Sequence, residues 1–179
     1  MVSDSSNTSN WLRRKRDIVV MVDPYSTACV IAQEMQKRGY LIVALWTVGF
    51  AEGMKTHVPY SCGKMEYFGQ IDQQQDHETT LNELAKLADD LTIVACLAGG
   101  EAGVDYADAF SEFLQEQSNN NDNDNKCNTS IKLKPILSNG TIIPNRRDKY
   151  IQQELCKRAG LRSVRQGMFL CGHVLNQFL

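Results

Sequence analysis

Blocks of consecutive hydrophobic residues alternate along the chain with segments of helical hydrophobic period. Strands buried on both faces of a parallel sheet have such unbroken hydrophobic runs. Three blocks therefore predict buried parallel strands: residues 18–22, 41–46 and 91–97. Helices are predicted after the first block up to about Arg38, over residues 77–88 and over residues 104–115. A strand, a helix and a strand within about thirty residues form one right-handed crossover unit.

The pattern changes in the last third of the chain. Residues 117–130, QSNNNDNDNKCNTS, are too polar to offset their ordering entropy, which predicts an exposed, mobile insertion. Ordered structure is expected to resume over residues 137–143. A further helix is then predicted, with Asn145 as its cap and Asp148 completing a capping box. Its buried stripe would consist of Ile151, Leu155 and Ala159, and Gly160 would end it.

These elements predict an α/β fold with an open, mostly parallel sheet flanked by helices, similar to a Rossmann fold. The predicted α/β domain covers residues 17–144 and includes the polar insertion. Residues 1–16 are expected to be a disordered polar and basic tail. Residues 145–179 are expected to begin a second structural unit with one helix.

Composition and charge restrict the possible functions of this chain. Its 179 residues are 42% hydrophobic and 22% charged, with a formal charge of −2. These values are typical of a soluble globular protein. They argue against a protein that binds nucleic acid or membranes in general. The sequence has neither a membrane-spanning run nor a hydrophobic signal segment, and its six cysteines include no C-x-x-C pair. We expect reduced thiols and a cytoplasmic location, with organellar import as the alternative.

The overall charge conceals two opposed regions. Residues 76–116 contain ten acidic residues and a single base, Lys86, whereas residues 145–165 contain seven basic and two acidic residues. Arg146, Arg147 and Lys149 are expected in the first turn of the last predicted helix, where the helix dipole disfavours cations. A bound phosphate would reverse that preference, while a solvated basic helix is the alternative.

Two loops that follow predicted strands carry candidate binding residues. Asp23, Ser26 and Thr27 place a carboxylate and two hydroxyls at the start of a helix, without the glycines of a dinucleotide-binding turn. The second loop, residues 99–103, is rich in glycine but contains Glu101, which would repel a phosphate. Such a loop suits a hydroxyl, amide or amine of a small substrate, and a tight turn with a solvent-facing Glu is the alternative.

Two further combinations are weaker candidates. His57 and Cys62 could act as base and nucleophile, but the sequence offers no identifiable third group to orient them. Cys171 and His173 are two potential metal ligands without a third. Loop and packing roles explain these residues as well, so the sequence predicts no metal site.

Three motifs resemble the opening of ATP-grasp ligases: VVMVDPYSTACVIAQEMQKRGY, LAGGEAGVDYADAF and NRRDKYIQQELCKRAGLRSVRQ. The resemblance covers roughly residues 17–166, and the third motif is the strongest. It implies a pre-ATP-grasp domain followed by the start of an ATP-binding domain. Enzymes of this family use ATP and Mg²⁺ to convert a carboxylate into an acyl phosphate, which then reacts with an amine or another nucleophile.

The resemblance also implies roles for individual residues. Lys149 matches the lysine that contacts the ATP phosphates in the family, and Arg146 lies beside it in the same motif. The loops that contain Asp23, Ser26, Thr27 and Glu101 border the cleft for the substrate, expected to be a small carboxylate or amino-acid-like molecule.

The chain departs from the family pattern after the third motif. In the family a second phosphate-binding lysine, a glycine-rich loop and the magnesium ligands follow, but residues 167–179 contain no Lys, Arg, Asp or Glu. We therefore expect a truncated chain with at most a partial ATP site, without catalytic or magnesium-binding residues, and inactive by itself. A non-catalytic small-molecule-binding or interaction module of the same fold is the alternative. An unrelated doubly wound domain is a third possibility.

Overall fold

The computed structural model describes residues 16–88, 90–121, 131–134 and 148–165. Five strands are present in these residues: β1 (Arg16–Val22), β2 (Leu41–Trp46), β3 (Gly69–Asp72), β4 (Leu91–Ala98) and β5 (Lys132–Leu133). The helices are α1 (Ala28–Lys37), α2 (Glu52–Lys55), α3 (His77–Ala85), α4 (Val104–Asn121) and α5 (Lys149–Arg158), with 3-10 turns at Tyr60–Cys62 and Glu101–Gly103.

The strands form one parallel sheet in the order β3-β2-β1-β4-β5, which confirms the predicted α/β fold. Val20 in the centre of β1 is paired with Val43 of β2 on one side and with Cys96 of β4 on the other. The strand order reverses direction at β1. Ligands of open α/β sheets bind outside the carboxyl ends of the strands at such a reversal, so this edge contains the candidate site.

Alternating residues of β1 supply the two hydrophobic layers of the core. Ile18, Val20 and Val22 belong to the larger layer, which also contains Leu81 of α3 and Phe110 of α4. Val19 and Met21 belong to the smaller layer on the opposite face, together with Ala28 and Ala32 of α1. This double burial explains why the strand is hydrophobic at every position from residue 18 to residue 22.

The α4 helix is longer than its hydrophobic period predicted. It continues through Asn121, so residues 117–121 are helical rather than part of a loop. Ser118 explains part of the extension, because its side chain is buried and its hydroxyl donates to the carbonyl of Leu133 at 3.3 Å. Residues 122–130 of the predicted insertion, and residues 137–143, where ordered structure was expected to resume, lie outside the described residues.

The start of α5 corrects the predicted helix cap. Asp148, not Asn145, is the N-cap, and its carboxylate accepts a hydrogen bond from the amide of Ile151 at 3.0 Å. Lys149 is the first residue of the described helix. Arg146 and Arg147 precede it and lie outside the described residues, as does Asn145.

The end of α5 confirms the predicted stop at Gly160. This glycine has a φ of +70°, and the amides of Gly160 and Leu161 donate to the carbonyls of Lys157 and Cys156. These two bonds form a Schellman motif. The predicted buried stripe is wrong, because none of the helix residues is buried and Leu155 is 41% exposed.

The chain divides into two compact units, Met1–Asn139 and Gly140–Leu179. The first contains the sheet, and the second contains α5. Among the described residues, no helix combines the length and the hydrophobicity that crossing a membrane would require.

His77 at the start of α3 lies among aromatic rings from α4. Its ring centroid is 5.2 Å from that of Tyr106, and 5.5 Å from those of Phe110 and Phe113. Burial lowers the pKa of the imidazole below its usual 6.5, and the adjacent Asp76 opposes this effect in part. The folded protein therefore takes up a proton at His77 less readily than the unfolded chain does.

This shift predicts a pH-dependent contribution to stability. His77 is neutral in both states well above pH 6.5, and protonation of the unfolded chain lowers the free energy of unfolding as the pH falls through that value. The free energy of unfolding, measured in urea, should differ between about pH 8 and about pH 5. We expect His77→Phe to reduce that difference. His57→Gln, at an exposed histidine, is the matched control. An unchanged difference in His77→Phe would contradict the assignment.

Candidate functional site

Asp23 connects the carboxyl ends of the two strands that begin the fold. It follows β1 directly and is fully buried. Its amide donates to the carbonyl of Leu45 at 2.8 Å. Its carboxylate accepts two bonds from Thr47, one from the amide at 2.8 Å and one from the hydroxyl at 2.7 Å. The side chain therefore joins the β1 loop to the β2 loop.

The loop after β1 has an unusual backbone. Asp23 and Ser26 have φ values of +51° and +52°, in the left-handed region that non-glycine residues rarely adopt. Hydrogen bonds hold both residues in place. The amide of Ser26 donates to the carbonyl of His57 at 2.9 Å, and the amide of Tyr25 donates to the carbonyl of Asp23 at 2.9 Å. Residue 57 thus helps to shape this loop through its backbone.

The glycines after β4 allow the two loops to pack closely. A Cβ at Gly99 would lie 2.6 Å from the Cα of Pro24, and one at Gly100 would overlap the ring of Tyr25. A Cβ at Gly103 would lie 2.8 Å from Cγ1 of Val22. The close contacts explain why this turn is rich in glycine although it contains the acidic Glu101.

An aromatic cluster borders the same edge. The ring of Phe50 is 5.2 Å from that of Tyr25 and 5.1 Å from that of Trp46. The ammonium group of Lys55 lies 5.8 Å from the Trp46 ring. It forms ion pairs of 2.9 Å with Glu52 and Asp72.

The structure brings together some of the predicted site residues. The loops that contain Asp23, Ser26, Thr27 and Glu101 meet at the carboxyl edge of the sheet. Thr27 and Glu101 are exposed, Ser26 is half-buried, and Asp23 is enclosed. Thr27 is the N-cap of α1, but within the described residues its side chain makes no capping bond. Thr27 and Glu101 are thus the two exposed residues of the predicted set.

The predicted phosphate-binding residues belong to the second unit. Lys149 is exposed at the start of α5, and Arg146 lies outside the described residues. Cys171 and His173 also lie outside them.

The sequence pattern did not predict two residues that shape the site. Thr47 holds the carboxylate of Asp23, and Tyr67 donates from its hydroxyl to the carbonyl of Pro24 at 2.6 Å. Burial strongly raises the pKa of the Tyr67 hydroxyl, which keeps it protonated as a donor. A threonine directly after a predicted strand was the available signal for Thr47. No local signal marks Tyr67, which is 43 residues away from its acceptor.

The structure gives little support to the weaker candidates, His57 and Cys62 as base and nucleophile. His57 is exposed and contacts the site through its carbonyl, while the carbonyl of Cys62 accepts from Gln33 at 2.7 Å. In the described part of the chain, their side chains form no hydrogen bond with each other. No group of three or more His, Cys, Asp or Glu residues that could hold a metal ion occurs there either.

Comparisons of the chain with protein-family models, curated proteins and solved structures find no match in any of the three. The assignment of chemistry to this edge therefore depends on the residues themselves.

The bond between Thr47 and Asp23 predicts a loss of stability on substitution. Thr47→Val removes the hydroxyl and leaves Oδ2 of a buried carboxylate without this donor. We expect the free energy of unfolding in urea to fall by roughly 1–3 kcal/mol. Thr47→Ser retains the hydroxyl and is the control, and equal losses in the two variants would show that the bond contributes little.

Close packing at Gly103 gives a second prediction. Gly103→Ala would bring a methyl group within 2.9 Å of Oδ2 of Asp23 and 3.0 Å of the carbonyl of Val22. We expect thermal unfolding to show a destabilisation of roughly 1–3 kcal/mol. Gly53→Ala in α2 is the matched control, because the added methyl meets no atom within 4 Å. A Gly103→Ala protein as stable as Gly53→Ala would refute the packing role.

Proposed function

We propose that this chain is the amino-terminal part of an ATP-grasp ligase, which joins a carboxylate to an amine through an acyl phosphate. The observation that carries the proposal is the placement of Lys149, an exposed cation in the first turn of a capped helix. The resemblance of the surrounding sequence, NRRDKYIQQELCKRAGLRSVRQ, assigns that lysine to the ATP phosphates.

The geometry of α5 narrows the role of Lys149. The carboxylate of Asp148 accepts from the amide of Ile151, so this cap already places a negative charge at the helix terminus. A phosphate would therefore bind to the ammonium group of Lys149, not to the amides of the first turn. Lysine acts in such contacts as a point charge on a flexible stem.

The carboxyl edge of the sheet supports the substrate side of the proposal. Thr27 and Glu101 are exposed residues on adjacent loops and carry a hydroxyl and a carboxylate. These groups fit the ammonium group and polar atoms of an amino-acid-like substrate. Asp23 supports the loop from inside, because its carboxylate is enclosed and bonded to Thr47.

ATP and Mg²⁺ are the cofactors of the proposed parent enzyme. Bound Mg²⁺ would neutralise charge on the transferred phosphoryl group, which supplies much of the rate of such reactions. The described residues contain no group of three or more His, Cys, Asp or Glu that could hold a metal ion, and we assign Mg²⁺ no residue. By itself the chain is proposed to bind ATP weakly and not to catalyse ligation, and its proposed compartment is the cytoplasm.

A non-catalytic binding module is the second candidate function. The first unit has hydrophobic layers on both faces of its sheet, which favours a domain that folds without α5. Such a module would bind a small molecule at the carboxyl edge and would not need Lys149.

Isothermal titration calorimetry with MgATP distinguishes the two functions, because it measures the affinity of the 179-residue chain for the nucleotide. We expect weak binding that Lys149→Ala reduces about tenfold, the loss of one charge-assisted contact. Lys157→Ala, at an exposed lysine in the last turn of the same helix, is the matched control and should bind as the parent chain does. Equal affinities of Lys149→Ala and the parent chain would contradict the phosphate role. Absence of MgATP binding would favour the binding module.

A further inference from the structure

Two cysteines of the first unit lie on neighbouring elements, α1 and the 3-10 turn Tyr60–Cys62. Cys29 lies on α1 and is fully buried, whereas Cys62 is half-buried in the 3-10 turn Tyr60–Cys62. Gln33, one helical turn after Cys29, donates its side-chain amide to the carbonyl of Cys62 at 2.7 Å. Residues three or four apart share one face of a helix, so the face of α1 that carries Cys29 lies against the turn that carries Cys62.

The two thiols differ in accessibility and in acidity. The sulfur of Cys29 lies 3.5 Å from the carbonyl of Pro24 and 3.9 Å from the hydroxyl of Tyr67. Burial raises the pKa of the Cys29 thiol and the proximity of Cys62 raises it further, although the bond with Tyr67 opposes the rise. Cys62 is the more accessible thiol and would react first with a reagent from solution.

We propose that Cys29 and Cys62 form a reversible disulfide by exchange with a small-molecule disulfide such as oxidised glutathione. The Cys62 thiolate attacks one sulfur of the reagent, which gives a mixed disulfide and releases one glutathione thiolate. The Cys29 thiolate then attacks the Cys62 sulfur, forms the internal disulfide and releases the second glutathione. The two protons lost by the cysteines end on the two glutathione thiols, so the protein is oxidised by two electrons and the reagent is reduced by two.

The pair is placed to connect the redox state with the candidate site. Formation of the disulfide removes the thiol hydrogen that Cys29 donates to the carbonyl of Pro24, which also accepts from Tyr67. Pro24 lies in the loop between Asp23 and Ser26, so the disulfide changes the support of that loop. This inference does not depend on the proposed ligase function.

The test treats the native 179-residue chain with oxidised glutathione, blocks free thiols after denaturation and maps the peptides by mass spectrometry. We expect a peptide pair linked through Cys29 and Cys62 that disappears on reduction, with loss of alkylation at both positions. Cys62→Ser should leave Cys29 reduced, and Cys29→Ala should stop the reaction at a glutathione adduct on Cys62. Cys156→Ser, at a half-buried cysteine in α5, is the control and should retain the linked pair.

Three results would overturn the inference. They are a stable glutathione adduct on Cys62 of the unaltered chain with Cys29 still free, full alkylation of both cysteines, and linkage of either one to another cysteine. The Cys62→Ser variant keeps the test valid if Cys29→Ala does not fold, because Cys62 contacts α1 through its backbone carbonyl.

Discussion

The buried carboxylate of Asp23 is the interaction on which the carboxyl edge of the sheet depends. It lies where the strand order reverses, and its two bonds to Thr47 join the loops after β1 and β2. Gly103, on the loop after β4, approaches the same carboxylate so closely that a side chain there would clash. One enclosed group thus fixes three loops relative to each other. A buried carboxylate is tolerated at this position because the amide and the hydroxyl of Thr47 donate to its two oxygens.

This arrangement separates support of the site from contact with a ligand. Asp23 and Tyr67 hold the backbone of the first loop from within, whereas Thr27 and Glu101 face solvent on neighbouring loops. The left-handed backbone at Ser26 persists because the carbonyl of His57 accepts from its amide. Strained residues that are held by surrounding structure are common at functional sites, which is in keeping with the location of this loop.

The acidic and the basic segments of the sequence lie in different units of the fold. The acidic segment from residue 76 to residue 116 includes α3 and α4, which pack on the same face of the sheet. One side of the first unit is therefore strongly acidic. The basic segment belongs to the second unit, where α5 has exposed cations and no buried residue. Charge and burial thus distinguish the two units as clearly as the sequence pattern does.

The sequence by itself determined the elements whose cause is local or periodic. Continuous hydrophobic runs predicted β1, β2 and β4, helical periodicity predicted α1 and α3, and Gly160 predicted the end of α5. Only the tertiary structure decided the length of α4 and the partners of Asp23. The cap of α5 is local, because the amide of Ile151 donates to Asp148 three residues earlier, whereas the extension of α4 depends on a contact between Ser118 and Leu133. The role of Asp23 depends on Thr47, which is 24 residues away. Hydrogen bonds across such distances follow from the packing of the strands, and the residues near Asp23 in the sequence do not encode them.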